Sequence, residues 1–254
     1  MAQWIIENMP GHKIYVEPYG GMASVLLTKK SALSEVYNDK NREIFNLFQM
    51  VRERGEELAH VVNMTTFSRD ELELAYLPSE DPIESARRFL VRAEMAISST
   101  SMNERTGFRS AINRDYSSKF FTFYKRPDVI LKVRDRLARV CIENTEAKNI
   151  IERFDSKETL FYLDPPYMNE TRGKSSVNRG YLHNMTNQDH LQMLELALKL
   201  KGKVIISGYD NELYSDILKN WNVKKTTAYD DARKAKTEVI WMNYQLSNQM
   251  KINF

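Results

Sequence analysis

The chain has 254 residues, 42% of them hydrophobic and 28% charged, with a formal net charge of +3. That length buries a core without staples, and so small an excess of positive charge excludes arguing a nucleic-acid partner from net charge alone. One cysteine, Cys141, excludes an internal disulfide framework and points to a reducing compartment.

Residues 13–17 form a short β-rich run that Pro18 ends. The pair Gly20-Gly21 follows, then the start of a helix over 23–29. Residues 35–38 read as a second strand ending at Asp39. Ile44, Leu47, Phe48 and Val51 then recur at helical spacing. Strand, loop, helix, strand, helix is how a doubly wound α/β sheet begins. Asp81-Pro82 predicts a capped helix start, with Ile83, Ala86, Phe89, Leu90, Ala93 and Ile97 along one face. Residues 98–119 are polar and without period. Asp128 predicts another cap, with Val129, Val133 and Leu137 on the apolar side. This middle region reads as a helical insertion with a long functional loop. The rhythm returns with strands at 140–144 and 159–163. A helix over 187–200 follows, with Leu191, Leu194 and Leu198 on one side, then strands at 203–207 and 236–244. No basic leader and no run of about 20 apolar residues occurs, so a cytoplasmic protein without a membrane partner is expected. His12, His60, His183 and His190 lie far apart with no cysteine or acidic cluster around them, and no metal site is expected.

The strongest chemical signal is Asp164-Pro165-Pro166-Tyr167, directly after the apolar run 160–163. An exocyclic amine on a base is a poor nucleophile, because its lone pair is delocalised into the ring. Two acceptors that hold its hydrogens would aim the lone pair at a methyl donor. Asp164 can accept one hydrogen and a proline carbonyl the other. Tyr167 can stack on the base, a contact worth about 1–3 kcal/mol. Two prolines make the turn rigid before a substrate arrives. The bland alternative is a plain turn closing a strand.

With that corner, the sequence resembles the Dam-like, class D12 N6-adenine DNA methyltransferases, in the versions carried by phages and mobile elements. The likeness runs through Tyr15 to Gly21, Tyr37-Asn38-Asp39, Ala86 to Val91, Thr159 to Tyr167, Gly202 to Tyr209 and Glu238 to Asn243. It implies an α/β, Rossmann-like S-adenosylmethionine-dependent methyltransferase fold with a helical target-recognition insertion. Residues 1–60 and 140–254 would be catalytic and 61–139 would recognise the target. The reaction implied is methyl transfer from S-adenosylmethionine to N6 of adenine in double-stranded DNA, by a monomer or weak dimer.

By the same resemblance, Glu17, Pro18, Tyr19, Gly20 and Gly21 would approach the methionine part of the cofactor, where glycine lets the backbone come close. Asp39 would hold the ribose hydroxyls; its alternative is to cap the helix that follows. Glu143 or Asn144 would sit near the cofactor adenine. Asp164 would face both cofactor and target amine, and Tyr19 or Tyr167 could offer a π-face to the sulfonium. Relatives open with an aromatic Gly-Gly-Lys segment for the cofactor carboxylate. Here the sequence opens at Met1-Ala2-Gln3-Trp4, so either that start is truncated or another residue does this job, and the third glycine of the loop is Ala23.

Thirteen basic and five acidic residues fall between positions 85 and 140, a net +8 in the region expected to recognise the target. Arg88, Arg105, Arg109, Asn113, Arg114, Lys119 and Arg126 are the candidate DNA contacts there. Reaching Asp164 would require the base to leave the duplex. Arg172 and Lys174 would close over it or touch phosphate, or belong to a plain surface loop. Other acceptors (cytosine N4, RNA adenine, a protein glutamine amide) and a DNA-binding relative without catalysis are the competing readings.

Overall fold

The computed structural model describes residues 1–97, 105–109, 123, 125–168, 185–229 and 235–245. Among them, residues 1–40, 145–168 and 185–245 form one compact unit and residues 41–144 a second.

The first unit is an α/β sheet. Its strands are β1 (Ile14–Glu17), β2 (Ser34–Asn38), β4 (Thr159–Leu163), β5 (Lys203–Tyr209), β6 (Asn222–Tyr229) and β7 (Ala235–Met242). They run in the order β2-β1-β4-β5-β7-β6. The first four are mutually parallel, with Val16 opposite Val36 on one side and Phe161 on the other. β7 is slotted antiparallel between β5 and β6.

The buried strands lack an alternating pattern because both faces are covered: all five residues of β4 are buried. On one face Val16, Phe161, Leu163, Val204, Ile206 and Trp241 pack against α8 (Ala147–Arg153), α9 (Asn187–Ala197) and α10 (Glu212–Ile217). Alternate residues turn to the opposite face, where Tyr15, Tyr37, Leu160, Tyr162 and Ile205 are buried. Ile5 of α1 (Ala2–Glu7) and Val25 and Leu26 of α2 (Ser24–Thr28) are buried as well. β6 has the sequence of a protected edge, with exposed Lys224 and Lys225.

Two readings of helix faces shift. In α9 the buried residues are His190, Met193, Leu194 and Ala197, while Leu198 is 49% exposed. A histidine enters the core because its Nδ1 lies 2.8 Å from the Tyr214 hydroxyl. Thr186 closes a reciprocal capping box with Asp189.

The second unit holds α3 (Arg42–Glu53), α4 (Gly55–Asn63), α5 (Arg69–Ala75), α6 (Pro82–Met95), α7 (Arg126–Leu137) and the short strand β3 (Val140–Glu143). Asp81 caps α6 as read, accepting from the Ile83 amide. α7 begins two residues before the expected cap: Lys125 is its N-cap, Asp128 lies in the first turn, and Ile130 and Leu137 are buried while Val129 is exposed. Residues 41–60 belong to this compact unit because α3 and α4 pack with α6 and α7. α4 and α5 were not foreseen.

Candidate functional site

In the first unit the direction of winding reverses between β1 and β4: the chain runs outward to β2 on one side and to β5 on the other. A cleft opens at such a reversal, beyond the carboxyl ends of the two strands. Both sequence motifs leave the sheet there, residues 18–21 after β1 and residues 164–167 after β4. Parallel pairing of Val16 with Phe161 makes them neighbours.

The glycine loop is held by β2. The Gly20 amide donates to the Asn38 carbonyl at 2.9 Å, and the Gly21 amide donates to Asp39 Oδ2 at 2.8 Å. Tyr37 donates its hydroxyl to the Gly21 carbonyl at 2.7 Å. A β-carbon at Gly20 would collide with the Tyr37 ring, whereas at Gly21 it would meet nothing within 4 Å. Gly21 is left-handed, with φ of 48°, and so is Ala23, with φ of 54°. Asn38 is fully buried; its amide donates to the Pro18 carbonyl at 2.8 Å and to the Thr145 carbonyl at 3.1 Å. Cap duty for α3 falls to Asn41, which accepts from the Glu43 amide.

Glu17 points inward. It is 2% exposed and accepts from the Tyr15 hydroxyl at 2.7 Å and the Leu26 amide at 3.2 Å. It thereby serves the first turn of α2, whose own N-cap, Ala23, has no side chain to do so. Burial pushes its carboxyl up to about 8, against the Tyr15 hydrogen bond and with the negative charge of Asp164 adding to the rise. Beside it Lys29 and Glu35 form a buried ion pair at 2.6 Å.

At the second corner Pro165 is buried, while Asp164, Pro166 and Tyr167 remain partly accessible. Ser207 Oγ lies 2.7 Å from Asp164 Oδ1 and 3.1 Å from the Tyr162 hydroxyl. Burial raises Asp164 to about 6; hydrogen bonds from Ser207 and Tyr162 pull the other way. The Tyr167 ring meets Tyr209 with centroids 4.5 Å apart and planes at 49°. Lys236 Nζ lies 4.7 Å from the Tyr209 centroid. Glu238, 9% exposed, has its carboxyl raised by burial and by the nearby Asp164 charge. Sequence reasoning missed Ser207, Tyr209 and Glu238. The available signal was a serine directly after the apolar buried run 204–206.

A cleft of about 620 Å³ also lies in this unit, between Met168 and the first turns of α9 and α10, lined by Asn187, Leu191, Asn211 and Leu213 among others.

In the second unit Glu143 has its carboxylate 3.8 Å from Cys141 Sγ, and Asn144 accepts from Arg42 at 3.4 Å. Three of the candidate DNA contacts have internal partners. Arg88 binds Glu84 at 2.7 Å and the Leu77 and Pro78 carbonyls. Arg109 donates to the Ala96 and Ile97 carbonyls, closing the Ala96–Phe108 bridge. Arg126 pairs with the buried Glu94. Arg105 is different: it is 64% exposed, 3.5 Å from Glu73 and 5.7 Å from the Tyr76 ring centroid. Asn113, Arg114, Lys119, Arg172 and Lys174 lie outside the described residues. Residues 41–144 carry 17 basic and 16 acidic side chains, so the net +8 of the inner window is nearly cancelled by the acidic excess of residues 41–84 and by Glu143.

Among the described residues no group of three metal-ligating side chains occurs, and no helix is long and apolar enough to cross a membrane.

No curated protein matches the chain. Among solved structures, a conserved hypothetical protein of Streptococcus pyogenes is similar at 11% identity and a TM-score of 0.37, over 95% of this chain and 92% of that one. A candidate RNA methyltransferase of Pyrococcus horikoshii is similar at 12% identity and a TM-score of 0.27, over 78% of this chain and 98% of that one. Neither likeness is close enough to bear on substrate. A family model for D12 class N6 adenine-specific DNA methyltransferases matches residues 1–231, a span that includes both strand-end motifs and the whole helical unit. The mostly parallel sheet with one reversed strand is the Rossmann-like fold of S-adenosylmethionine-dependent methyltransferases. The chain belongs to the D12 class of N6 adenine-specific DNA methyltransferases.

Proposed function

We propose that the protein transfers the methyl group of S-adenosylmethionine to N6 of adenine in double-stranded DNA, on a base flipped to the Asp164–Tyr167 corner. One observation carries this reading: the glycine loop and the acidic diproline corner leave neighbouring strands at the point where the sheet's winding reverses.

The residues at hand fit the cofactor. Gly21 offers bare backbone facing open space, Asp39 a carboxylate beside it, and Tyr19 a partly accessible ring. Those are the groups that suit a ribose diol and a cationic sulfonium. Bound S-adenosylmethionine supplies an electrophilic methyl on that cationic sulfur. Asp39 holds the loop through the Gly21 amide, so it acts on cofactor affinity through loop shape as well as by direct contact.

Asp164 accepts one hydrogen of the target amine, and the Pro165 carbonyl accepts the other. With both hydrogens held, the nitrogen lone pair is aimed away from the ring plane. Transfer would break the donor's sulfur–methyl bond, leaving a neutral thioether, and would put positive charge on the amine; the Asp164 carboxylate would stabilise that charge and take the departing proton. Tyr167 stacks on the base, its ring backed by Tyr209. Among the described candidate DNA contacts, Arg105 is the exposed one, and its charge is free to face solvent and meet phosphate.

The deciding experiment is tritiated methyl transfer to unmethylated DNA followed by nucleoside analysis. N6-methyl-2′-deoxyadenosine as the labelled product supports the reading. Label in N4-methylcytosine, or in RNA only, overturns it.

A further inference from the structure

Three carboxylates crowd the end of the sheet: Glu17 from β1, Asp164 after β4 and Glu238 from β7. Tyr162 of β4 and Tyr214 of α10 also feel the Asp164 charge. The nearby cations are Lys29, which acts on Glu17, and Lys236 and the N-terminal amine, which act on Glu238. Burial favours the neutral acid at Asp164, and a neutral Asp164 is a poor acceptor for an amine hydrogen. Something must keep it ionised.

Ser207 has the geometry to do so. It is 5% exposed, near the end of β5, and its hydroxyl is 2.7 Å from Asp164 Oδ1. That hydroxyl carries one hydrogen, and Asp164 is its closest acceptor. The Tyr162 hydroxyl lies 3.1 Å from Ser207 Oγ and also hydrogen-bonds Asp164, so the two hydroxyls together stabilise the carboxylate.

Resting on the function proposed above, we infer that Ser207 is a positioning residue for methyl transfer: its hydroxyl holds the Asp164 carboxylate ionised through Oδ1 and leaves Oδ2 to accept the hydrogen of the target amine. It touches neither base nor cofactor and acts through Asp164 alone.

The test compares wild type, Ser207→Ala and Ser207→Thr in single-turnover methyl transfer from about pH 5 to about pH 9. In parallel, the Asp164 carboxyl is titrated by NMR in protein labelled with carboxyl-13C aspartate, its resonance assigned with Asp164→Asn. Removing one hydrogen bond to the charged form should move the acid limb of the Ser207→Ala rate, and the carboxyl titration, upward by about one pH unit. Ser207→Thr should restore both. An unmoved limb with an unmoved titration overturns the inference, as does an equal loss of rate at every pH in both variants. Should threonine prevent folding, the alanine titration decides alone. If wild type transfers no methyl group at all, the proposed function falls. The NMR titration then still separates a Ser207 that holds Asp164 ionised, shown by the upward shift, from one that does not.

Discussion

Asp164 is a strong acceptor, and can take a proton, only while ionised, and burial raises its carboxyl to about 6. The rate of methyl transfer should therefore fall as pH drops through about 6 and level off above it. A flat profile across that range would remove Asp164 from the chemistry. Asp164→Ala should abolish transfer with the thermal midpoint unchanged; retention of about a tenth of the rate would argue against the assigned role. Glu17 behaves in the opposite sense. Its carboxyl is raised from an ordinary 4.5 to about 8, so the folded state holds a proton that the unfolded chain releases. Stability on its account is full below about pH 4.5 and is lost as pH rises through 8. Glu17→Gln should flatten that part of the stability curve, measured by denaturant unfolding at several pH values. Ala23 adopts a left-handed conformation that costs an alanine about 1 kcal/mol and a glycine none. Ala23→Gly should raise stability by about 0.5 kcal/mol after the greater freedom of the unfolded glycine is subtracted. A fall in the thermal midpoint would mean that α2 needs the alanine methyl more than the turn needs relief.

At the scale of the element, the legible parts were those dictated by local chemistry. The run before Pro18, the cap at Asp81 and the apolar stretch before Asp164 all became the expected elements. What stayed hidden depended on partners distant in sequence. α4 and α5 carry many charges, and their arginine and glutamate partners come from other helices, as where Arg87 joins Glu84 and Glu71 at 2.7 Å. β6 is polar because it is an edge strand, so it lacks a strand's apolar signature. Asp39 was legible as a polar end to β2, but its bond to the Gly21 amide depends on the pairing of β1 with β2. Ser207 was invisible as a site residue for the same reason: its partner lies 43 positions away on another strand. The recognition arginines show the limit most sharply. Arg105 and Arg109 looked alike in sequence, yet Arg109 clamps the Ala96 and Ile97 carbonyls. Arg105→Ala should weaken DNA binding and lower the salt slope by about one charge. Arg109→Ala should instead lower the thermal midpoint, and a pure affinity loss there would reverse the assignment.

For the molecule as a whole, nearly balanced charge in residues 41–144 means that any attraction to DNA rests on where positive groups are exposed rather than on their number. Methyl transfer should accordingly lose affinity for DNA with salt more gently than a net +8 unit would, which a titration of binding against salt concentration measures. The placement of β7 has a different kind of consequence. Residues 235–242 are made after all the other strands of the sheet, yet they fill an interior slot between β5 and β6. Until they arrive, β5 presents an open, apolar backbone edge beside a finished parallel core, and the preceding strand has no neighbour to pair with. A nascent chain stalled before residue 235 is therefore a template for sticking to other chains until β7 closes the gap.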